Sequence, residues 1–433
     1  MTMKKLLLSM LIGLPLIFQS LGAQAEITPQ EIDQLAAAQQ EQVVQWRRWF
    51  HANPELSNRE VKTAAYIAEQ LRAMGLEPKT GIAHHGIVAL IEGGLPGPMV
   101  AIRSDMDGLP VTEETGLPFA SQVKGEYNGQ EVGVMHACGH DAHMAMLLGA
   151  AAVLNKMKAE LPGSVMLIFQ PAEEGPPNGE KGGASLMLEE GIFEPRKPEA
   201  VFGIHVGINQ PANSISVKPG PMMAAADRFL ITVKGKQTHG AQPWGGVDPI
   251  VVSAQIILGL QTIASRQVNV TLAPSIISVG RIQGGVRNNV IPDSVEFEGT
   301  IRTFDQAMRE QIHASIERTA KGIAESAGAV ATVVINLGSP AVVNDPELVA
   351  RMMPTLERVT TVNSLTPQTV AEDFSEFALQ TPAIFMFLGN GAPGVDAASL
   401  PSNHSPMFDM YEPSMETGVR VFSNLVVDCL KAQ

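Results

Sequence analysis

Apolar and polar positions follow two rhythms along this chain, one typical of helices and one typical of buried strands. From Thr28 to Met74 apolar residues recur at helical spacing, and Gly75 ends the pattern. A second helical pattern covers Asp141–Met157. Short, continuous apolar runs predict strands at Gly86–Glu92, Met99–Arg103, Ser164–Phe169 and Ala200–Ile204. Strands that alternate with helices indicate an α/β fold, with a mostly parallel sheet flanked by helices.

The order of predicted strands and helices changes between Lys218 and Asn336. The predicted order there is β-α-β-β-α-β, which is the ferredoxin-like arrangement. Its strands are Arg228–Val233, Ser275–Arg281, Ser294–Thr303 and Ala331–Asn336, and its helices are Asp248–Ala264 and Asp305–Ser326. Helical patterns return at Pro346–Arg358 and Glu416–Cys429. We therefore predict an inserted ferredoxin-like α+β satellite domain, residues 218–336, within a catalytic domain formed by residues 26–217 and 337–433.

The N-terminus has the pattern of a secretory signal. Lys4 and Lys5 precede an apolar run over Leu6–Phe18, and Ala23-Gln24-Ala25 forms a small-residue cleavage pattern. The run is short for a membrane span, and the later apolar stretches are broken by glycine, proline or charge. We predict a signal peptide over residues 1–25, export to the periplasm or medium, and no stable membrane insertion after cleavage.

The net charge restricts the possible binding partners, and the cysteine content restricts the possible roles of the two thiols. The chain has a formal charge of −14, and residues 1–25 hold two lysines and no acidic residue, so the remainder carries −16. An acidic surface argues against nucleic acid and anionic membranes as partners. Two cysteines in an oxidising compartment could form a disulfide. Cys138, however, lies among potential metal ligands, so we favour ligation for Cys138 and a buried free thiol for Cys429.

Four separated segments carry side chains that bind divalent transition metals, namely thiolate, imidazole and carboxylate. Several of these side chains directly follow predicted strands, where ligands gather in parallel sheets. Cys138 precedes a predicted helix, whose N-terminus is expected to lower the thiol pKa. The segments are His136-Ala-Cys138-Gly-His140-Asp141, Glu173-Glu174, Gly203-Ile-His205 and Asn403-His404.

Some of these residues have ordinary structural alternatives. Adjacent glutamates are usually solvated, but Glu173 and Glu174 follow an apolar strand and Gln-Pro-Ala, so one could bind metal while the other acts as a base. His136 and His143 could be ligands, although we favour supporting or helix-capping roles. Arg302, at the end of a strand, could bind a carboxylate or pair locally.

Five motifs, in order along the chain, resemble the amidohydrolase branch of the M20 metallopeptidase family. That branch includes N-acyl-amino-acid amidohydrolases, hippurate hydrolases and plant auxin-conjugate hydrolases. The motifs are Ser104-Asp-Met-Asp107-Gly-Leu-Pro, Met135-His-Ala-Cys-Gly-His-Asp-Ala-His143, Gln170-Pro-Ala-Glu-Glu-Gly175, Gly285-Val-Arg-Asn-Asn-Val-Ile-Pro292 and Glu372-Asp-Phe374.

The resemblance implies a dinuclear metal site and a homodimer. Two divalent ions per subunit (zinc, manganese, cobalt or nickel) would be held by Cys138, His140, Glu174, His205 and His404, with Cys138 as the bridge. Glu173 would be the general base and Asp107 a supporting acid. His239 would reach across the dimer to the oxyanion, and Asn289 would bind the substrate. The satellite domain would form the dimer interface. The chain departs from many members at Gly207, Trp244 and Asn403, which puts substrate specificity in doubt.

The predicted function is hydrolysis of N-acyl or N-aroyl amino acids by a metal-activated water and a glutamate base. A dipeptidase or carboxypeptidase is the alternative within the enzyme class. A non-catalytic binder of acylated amino acids is the alternative outside that class. The presence of Glu173 beside every ligand counts against a binder, because binding does not require a base.

Overall fold

The computed structural model describes residues 27–396 and 399–432, so the predicted signal peptide lies outside the described residues. The helices are α1 (Pro29–Ala52), α2 (Val61–Ala73), α3 (His140–Lys156), α4 (Gly183–Glu189), α5 (Pro249–Thr262), α6 (Gln306–Ser326), α7 (Pro346–Val359), α8 (Ser375–Gln380) and α9 (Ser414–Lys431). The strands are β1 (Lys79–Ile82), β2 (Gly86–Glu92), β3 (Leu95–Asp105), β4 (Lys124–Tyr127), β5 (Gln130–Gly133), β6 (Pro162–Gln170), β7 (Ala200–Pro211), β8 (Ser214–Val217), β9 (Gly220–Met223), β10 (Ala225–Lys234), β11 (Thr238–His239), β12 (Ser275–Gly284), β13 (Val290–Ile291), β14 (Ser294–Thr303), β15 (Val330–Asn336), β16 (Val342–Asn344), β17 (Thr361–Ser364) and β18 (Ala383–Gly391).

The central sheet has the strand order β1-β2-β6-β3-β7-β18-β8-β17. Its middle strands β6, β3, β7 and β18 pair in parallel, while β1, β2 and β8 form antiparallel pairings. Strands β6 and β18 are almost wholly buried because helices pack on the sheet. Helices α1, α3 and α9 contribute to one core, and α4 and α8 contribute to another. The predicted α/β class with a mostly parallel sheet is confirmed.

The continuous helix predicted from Thr28 to Met74 was wrong, because the structure has two helices there. The Thr28 side chain accepts a hydrogen bond from the Glu31 amide at 3.2 Å and begins α1. Helix α1 ends before Asn53-Pro54, where the proline ring restricts the preceding residue to non-helical conformations. Helix α2 ends as predicted near Gly75, whose φ of 78° suits glycine.

A second sheet, with the order β12-β14-β10-β15, is wholly antiparallel. Together with α5 and α6 it gives the predicted β-α-β-β-α-β order, so the ferredoxin-like prediction is confirmed. This unit has its own core, in which Phe229 and Phe297 pack with Ile256 and Ile312. The exact boundaries at residues 217 and 336 stay predictions.

Among the described residues, the helical stretch Pro249–Gln267 is long and apolar enough to cross a membrane, judged by length and composition alone. The stretch includes Gly259 and Arg266, so it agrees with the expectation that later apolar runs are interrupted. The stretch contains α5, whose residues Val252, Ile256 and Leu260 are buried in the satellite core. Packing therefore accounts for the apolar inner face of this helix. Its outer residues Val251 and Leu258 are exposed.

Candidate active site

The carboxyl ends of adjacent parallel strands bring the predicted ligands together. Strand β3 ends at Asp105, the loop after β6 carries Glu173 and Glu174, and His205 lies in β7. His140 is the first residue of α3. Because β6, β3 and β7 are neighbours in the sheet, these side chains meet at one edge.

His404 comes from a distant segment before α9. Its backbone has a φ of 68°, and its amide donates to the Ala137 carbonyl at 2.7 Å. This contact places His404 beside the Cys138 segment. The His404 Nε2 atom lies 3.2 Å from Glu174 Oε1.

The five predicted ligands form two groups that share Cys138. Potential ligand atoms of Cys138, His140 and His205 all lie within 4.8 Å of one another, and so do those of Cys138, Glu174 and His404. The Cys138 Sγ atom is 3.4 Å from His205 Nε2. A thiol common to both groups has the placement that a bridging ligand needs.

Side-chain chemistry in this cluster fits divalent metal ions. Both ring nitrogens of His140 are buried and make no hydrogen bond within the described ranges, although carboxylate oxygens of Asp107 and Glu173 lie 3.4 and 3.7 Å away. Buried polar atoms are normally satisfied, so such an imidazole indicates a missing partner. Imidazole, thiolate and carboxylate together suit zinc and other transition metals.

Two aspartates hold the ligand segments in place. Asp107 accepts hydrogen bonds from the amides of Glu173 (3.1 Å) and Glu174 (3.0 Å) and from the Ser57 hydroxyl (2.7 Å). Asp105 lies 2.7 Å from His143 Nδ1, and His143 Nε2 accepts a hydrogen bond from the Val206 amide at 2.8 Å. His143 thereby anchors the strand segment next to His205, which is a supporting role.

The His205 ring has a defined orientation. Its Nδ1 atom donates to the Val206 carbonyl at 2.9 Å. Burial lowers the pKa of His205 well below its ordinary value, and the neighbouring His143 adds to that effect. The neutral ring therefore presents Nε2 to Cys138, in the protonation state that metal ligation requires.

Arg103, a residue that sequence reasoning did not single out, organises the carboxylates behind Glu173. Its guanidinium is buried and contacts Asp105 at 2.8 Å, Glu372 at 2.9 Å and Asp373 at 3.1 Å. The carboxylates of Glu173, Glu372 and Asp373 lie within 4.8 Å of one another. Glu372 and Asp373, which belong to the fifth motif, therefore both pair with Arg103. An arginine within an otherwise apolar strand was the available signal.

Negative charge dominates the electrostatics of the cluster. Burial raises the pKa of Glu173 well above its ordinary value, and the carboxylates of Glu372 and Glu174 raise it further. Burial alone would lower the pKa of His140, but Asp105 and Asp107 outweigh it and raise this pKa to about 10. Positive charge is therefore strongly favoured at this position.

The expected effect of the helix N-terminus on Cys138 was wrong. Burial raises the pKa of the Cys138 thiol well above its ordinary value, and the nearby carboxylates of Glu174 and Glu173 add to the rise. The thiolate at this position therefore depends on a bound cation. Both Cys138 and Cys429 are buried free thiols.

A cavity of about 680 Å³ opens over the ligand cluster. Cys138, Glu173 and His404 line it from the central-sheet side, and Arg302 lines it from β14 of the satellite sheet. Arg302 donates to the Ile301 carbonyl at 3.1 Å and to the Thr300 hydroxyl, and it forms no ion pair with any described residue. Asn403 also lines the cavity and donates to the Cys138 carbonyl at 3.0 Å.

His239 and Asn289 do not line this cavity within one subunit. His239 lies in β11, which pairs with β13 directly after Asn289. The His239 side chain is exposed, and its Nδ1 atom accepts a hydrogen bond from the Ala241 amide at 3.0 Å. Trp244, in the same segment, is 81% exposed. The single subunit therefore does not bring these residues to the ligand cluster.

His51 belongs to a buried ion network behind α3. Its Nδ1 atom lies 2.8 Å from Asp141 and its Nε2 atom 3.0 Å from Glu113, while Arg47 Nε donates to Asp141 at 2.7 Å. The network fixes the first turn of α3, which carries His140.

The comparisons with known proteins agree with this geometry. The profile of Peptidase family M20/M25/M40 matches residues 101–428. Thermostable carboxypeptidase 2 of Saccharolobus solfataricus is 38% identical over 387 residues, covering 89% of this chain and 94% of that protein. The N-acyl-L-amino acid amidohydrolase of Geobacillus stearothermophilus is 39% identical over 321 residues, covering 74% of this chain and 83% of that protein.

A solved structure shows the same fold. The YXEP protein of Bacillus subtilis, described as a dinuclear metal-binding peptidase of the M20 family, superposes with a TM-score of 0.78 at 34% identity. The match covers 92% of this chain and all of that one. These findings confirm the resemblance inferred from the motifs and the prediction of an amide-bond hydrolase. The chain belongs to Peptidase family M20/M25/M40.

Proposed function

We propose that the protein hydrolyses N-acyl amino acids, with Glu173 as the general base. The observation that carries this proposal is the cavity over the ligand cluster. It combines the mostly buried Glu173 carboxylate, which lies outside the two Cys138 groups, with Arg302, which forms no ion pair with a described residue. Such a substrate could bind with its scissile carbonyl at the ligand cluster and its carboxylate at Arg302, so that both halves of the molecule are positioned.

The chain's own residues divide the work of hydrolysis. Divalent metal ions held by Cys138, His140, Glu174, His205 and His404 would supply Lewis-acid polarisation of the carbonyl and acidify water. Glu173 accepts a proton from the attacking water and returns it to the leaving amine. Burial and neighbouring carboxylates raise the pKa of Glu173, which favours the protonated form that returns a proton to the amine, whereas the charge of bound metal ions would favour the carboxylate that accepts it. Asp107 holds the Glu173 and Glu174 backbone in position.

Arg302 is the proposed carboxylate receptor. Burial lowers the pKa of its guanidinium and the Asp227 carboxylate partly offsets this effect; the group remains charged, and Asp227 itself pairs with Arg309 at 2.6 Å rather than with Arg302. A charge-assisted hydrogen bond is worth about 1.5–3 kcal/mol. We expect Arg302→Gln to raise KM about 10- to 100-fold for N-acyl amino acids. It should have little effect on the matching N-acyl amino acid amides, which lack the carboxylate.

Arg281→Gln is the matched control. Arg281 lies in the satellite sheet, pairs with Glu298 at 2.7 Å on the surface, and is absent from the cavity lining. The KM of the Arg281→Gln variant should equal that of the wild type. Equal KM values for acid and amide substrates in the wild type would contradict the role of Arg302.

A carboxypeptidase activity is the second candidate. It is favoured by the similarity to thermostable carboxypeptidase 2, and a peptide also carries a carboxylate next to its last amide bond. A panel of acetyl-, benzoyl- and indoleacetyl-amino acids measured beside dipeptides separates the two. Higher kcat/KM for dipeptides throughout the panel would favour the peptidase.

We further propose a homodimer formed by the satellite domain, with His239 and Asn289 completing the partner's site. Apolar residues exposed on α5 and on the edge strand β12 support this proposal, among them Leu258 (70% exposed) and Ile282 (53%). Light scattering should give twice the chain mass. Leu258→Glu should yield monomers, whereas the same substitution at Leu379, a leucine on α8 that is 65% exposed, should not. A monomeric wild type would contradict the dimer.

Export is proposed from the lysine-flanked apolar run and the Ala-Gln-Ala pattern in residues 1–25. N-terminal sequencing of protein from the periplasmic or medium fraction should begin at Glu26. Recovery of the uncleaved chain from the cytoplasm would refute this proposal. Zinc is the favoured metal because of the thiolate ligand, and manganese, cobalt and nickel are the alternatives that metal analysis distinguishes.

A further inference from the structure

An aromatic side chain stands beside the metal-ligand cluster with its flank uncovered. Phe387, in β18, is the register partner of His205 in β7, and their ring centroids lie 5.8 Å apart. Two residues after His205, Gly207 pairs with Gly389 in the same register. Because side chains alternate along a strand, His205 and position 207 point to the same face of the sheet. His205, Gly207 and Phe387 all line the cavity.

The glycine at position 207 is what leaves this flank open. A Cβ atom there would lie 3.1 Å from Phe387 Cβ and 3.5 Å from the ring atoms Cγ and Cδ1. Any larger side chain would therefore cover the phenyl ring or push it aside. Met223, Leu365 and Val370 add further apolar surface to the same cavity.

We propose that Gly207 and Phe387 form an acyl-binding pocket that selects substrates with a bulky apolar acyl group, aromatic ones above all. This inference rests on the proposed hydrolysis of N-acyl amino acids. The amide carbonyl carries two substituents, the amine half and the acyl half. Arg302 on the satellite sheet takes the carboxylate of the amine half. The acyl half then faces the central-sheet wall, where Phe387 lies next to the His205 ligand and can stack with an aromatic ring.

The test compares two substrates that differ only in the acyl group. For the zinc-loaded wild type, we expect kcat/KM for an N-benzoyl amino acid to exceed that for its N-acetyl counterpart at least about tenfold, since even single methylene differences in apolar pockets reach this size. Gly207→Leu and Phe387→Ala should each lower this ratio at least about tenfold. The ratio is the readout because it cancels losses of active protein.

Gly322→Leu is the matched control. Gly322 is an exposed glycine on α6 with no atom within 4 Å of a built Cβ, so its ratio should equal that of the wild type. Gly207→Ala replaces Gly207→Leu if the leucine variant does not fold, and it should lower the ratio in the same direction.

Two results would contradict the acyl-binding pocket alone, and a third would also contradict the proposed function. The acyl-binding pocket is contradicted if the wild type cleaves acetyl and benzoyl substrates equally, or if Gly207→Ala and Phe387→Ala leave the ratio unchanged. Neither result contradicts the proposed function. If the metal-loaded wild type cleaves no N-acyl amino acid, both the pocket and the proposed function are contradicted.

Discussion

Loading the apo-protein with divalent metal at pH 7 should release at least two protons per subunit. A ligand must be deprotonated to bind metal, and two of the proposed ligands are protonated without one. Burial and nearby carboxylates raise the pKa of the Cys138 thiol well above its ordinary value, so it is an S–H group at pH 7. The carboxylates of Asp105 and Asp107 overcome burial and raise the pKa of His140 to about 10, so it is an imidazolium. His205 is already neutral and contributes none.

The magnitude follows from these values. Holding His140 neutral at pH 7 costs about 4 kcal/mol, since each pKa unit is worth about 1.4 kcal/mol. Metal affinity should therefore rise about 100-fold per pH unit between pH 6 and 8, as two protons are displaced together. The assay is calorimetric titration of chelator-treated protein in two buffers of different ionisation enthalpy. Cys138→Ser should release about one proton fewer. Release of less than one proton by the wild type would refute the proposed ligand set.

Three other outcomes are expected. Glu173→Gln should lower kcat at least about 100-fold with metal content unchanged in elemental analysis, and near wild-type turnover would contradict a general base. Burial alone would lower the pKa of His51, but hydrogen bonds to Asp141 and Glu113 raise it from 6.5 to about 9, which is worth about 3 kcal/mol. This contribution to the free energy of unfolding is complete below pH 6.5 and is lost as the pH rises through 9. In denaturant titrations, the His51→Gln variant should therefore not lose this stability over that pH range. An equal loss in the variant would refute the role of His51. Mixing inactive His239→Ala and Glu173→Gln subunits should restore up to about a quarter of the activity, because one site of each heterodimer has both side chains; no recovery despite proven exchange would exclude action across subunits.

Local sequence patterns were sufficient for most elements because they depend on neighbouring residues. The apolar runs and helical spacings recovered the parallel strands around β3, β6 and β7 and the order of the satellite unit. They did not locate the turn at Asn53-Pro54, although proline carries that signal. The buried central strand β18 was also missed, and its apolar run over Ala383–Leu388 resembles those of the predicted strands.

The ligand cluster could be assembled from motifs, but its electrostatics could not. Arg103 contacts Glu372 across 269 positions of sequence, and no local pattern specifies that pair. The pKa of the Cys138 thiol depends on its burial and on carboxylates that follow another strand, which reversed the expectation from the helix start alone. Likewise, only the folded chain shows that Arg302 faces the cluster and that Gly207 leaves Phe387 uncovered.

Product release by the metal-loaded protein tests the central claim most directly. Mass spectrometry of an N-acyl amino acid incubated in ¹⁸O-water should show the free amino acid and an acid that carries one ¹⁸O, formed over many turnovers per subunit. Glu173→Gln should bind the same substrate and yield neither product at a comparable rate. Tight binding by the wild type with the substrate recovered intact would contradict the account and would identify the protein as a binder of acylated amino acids.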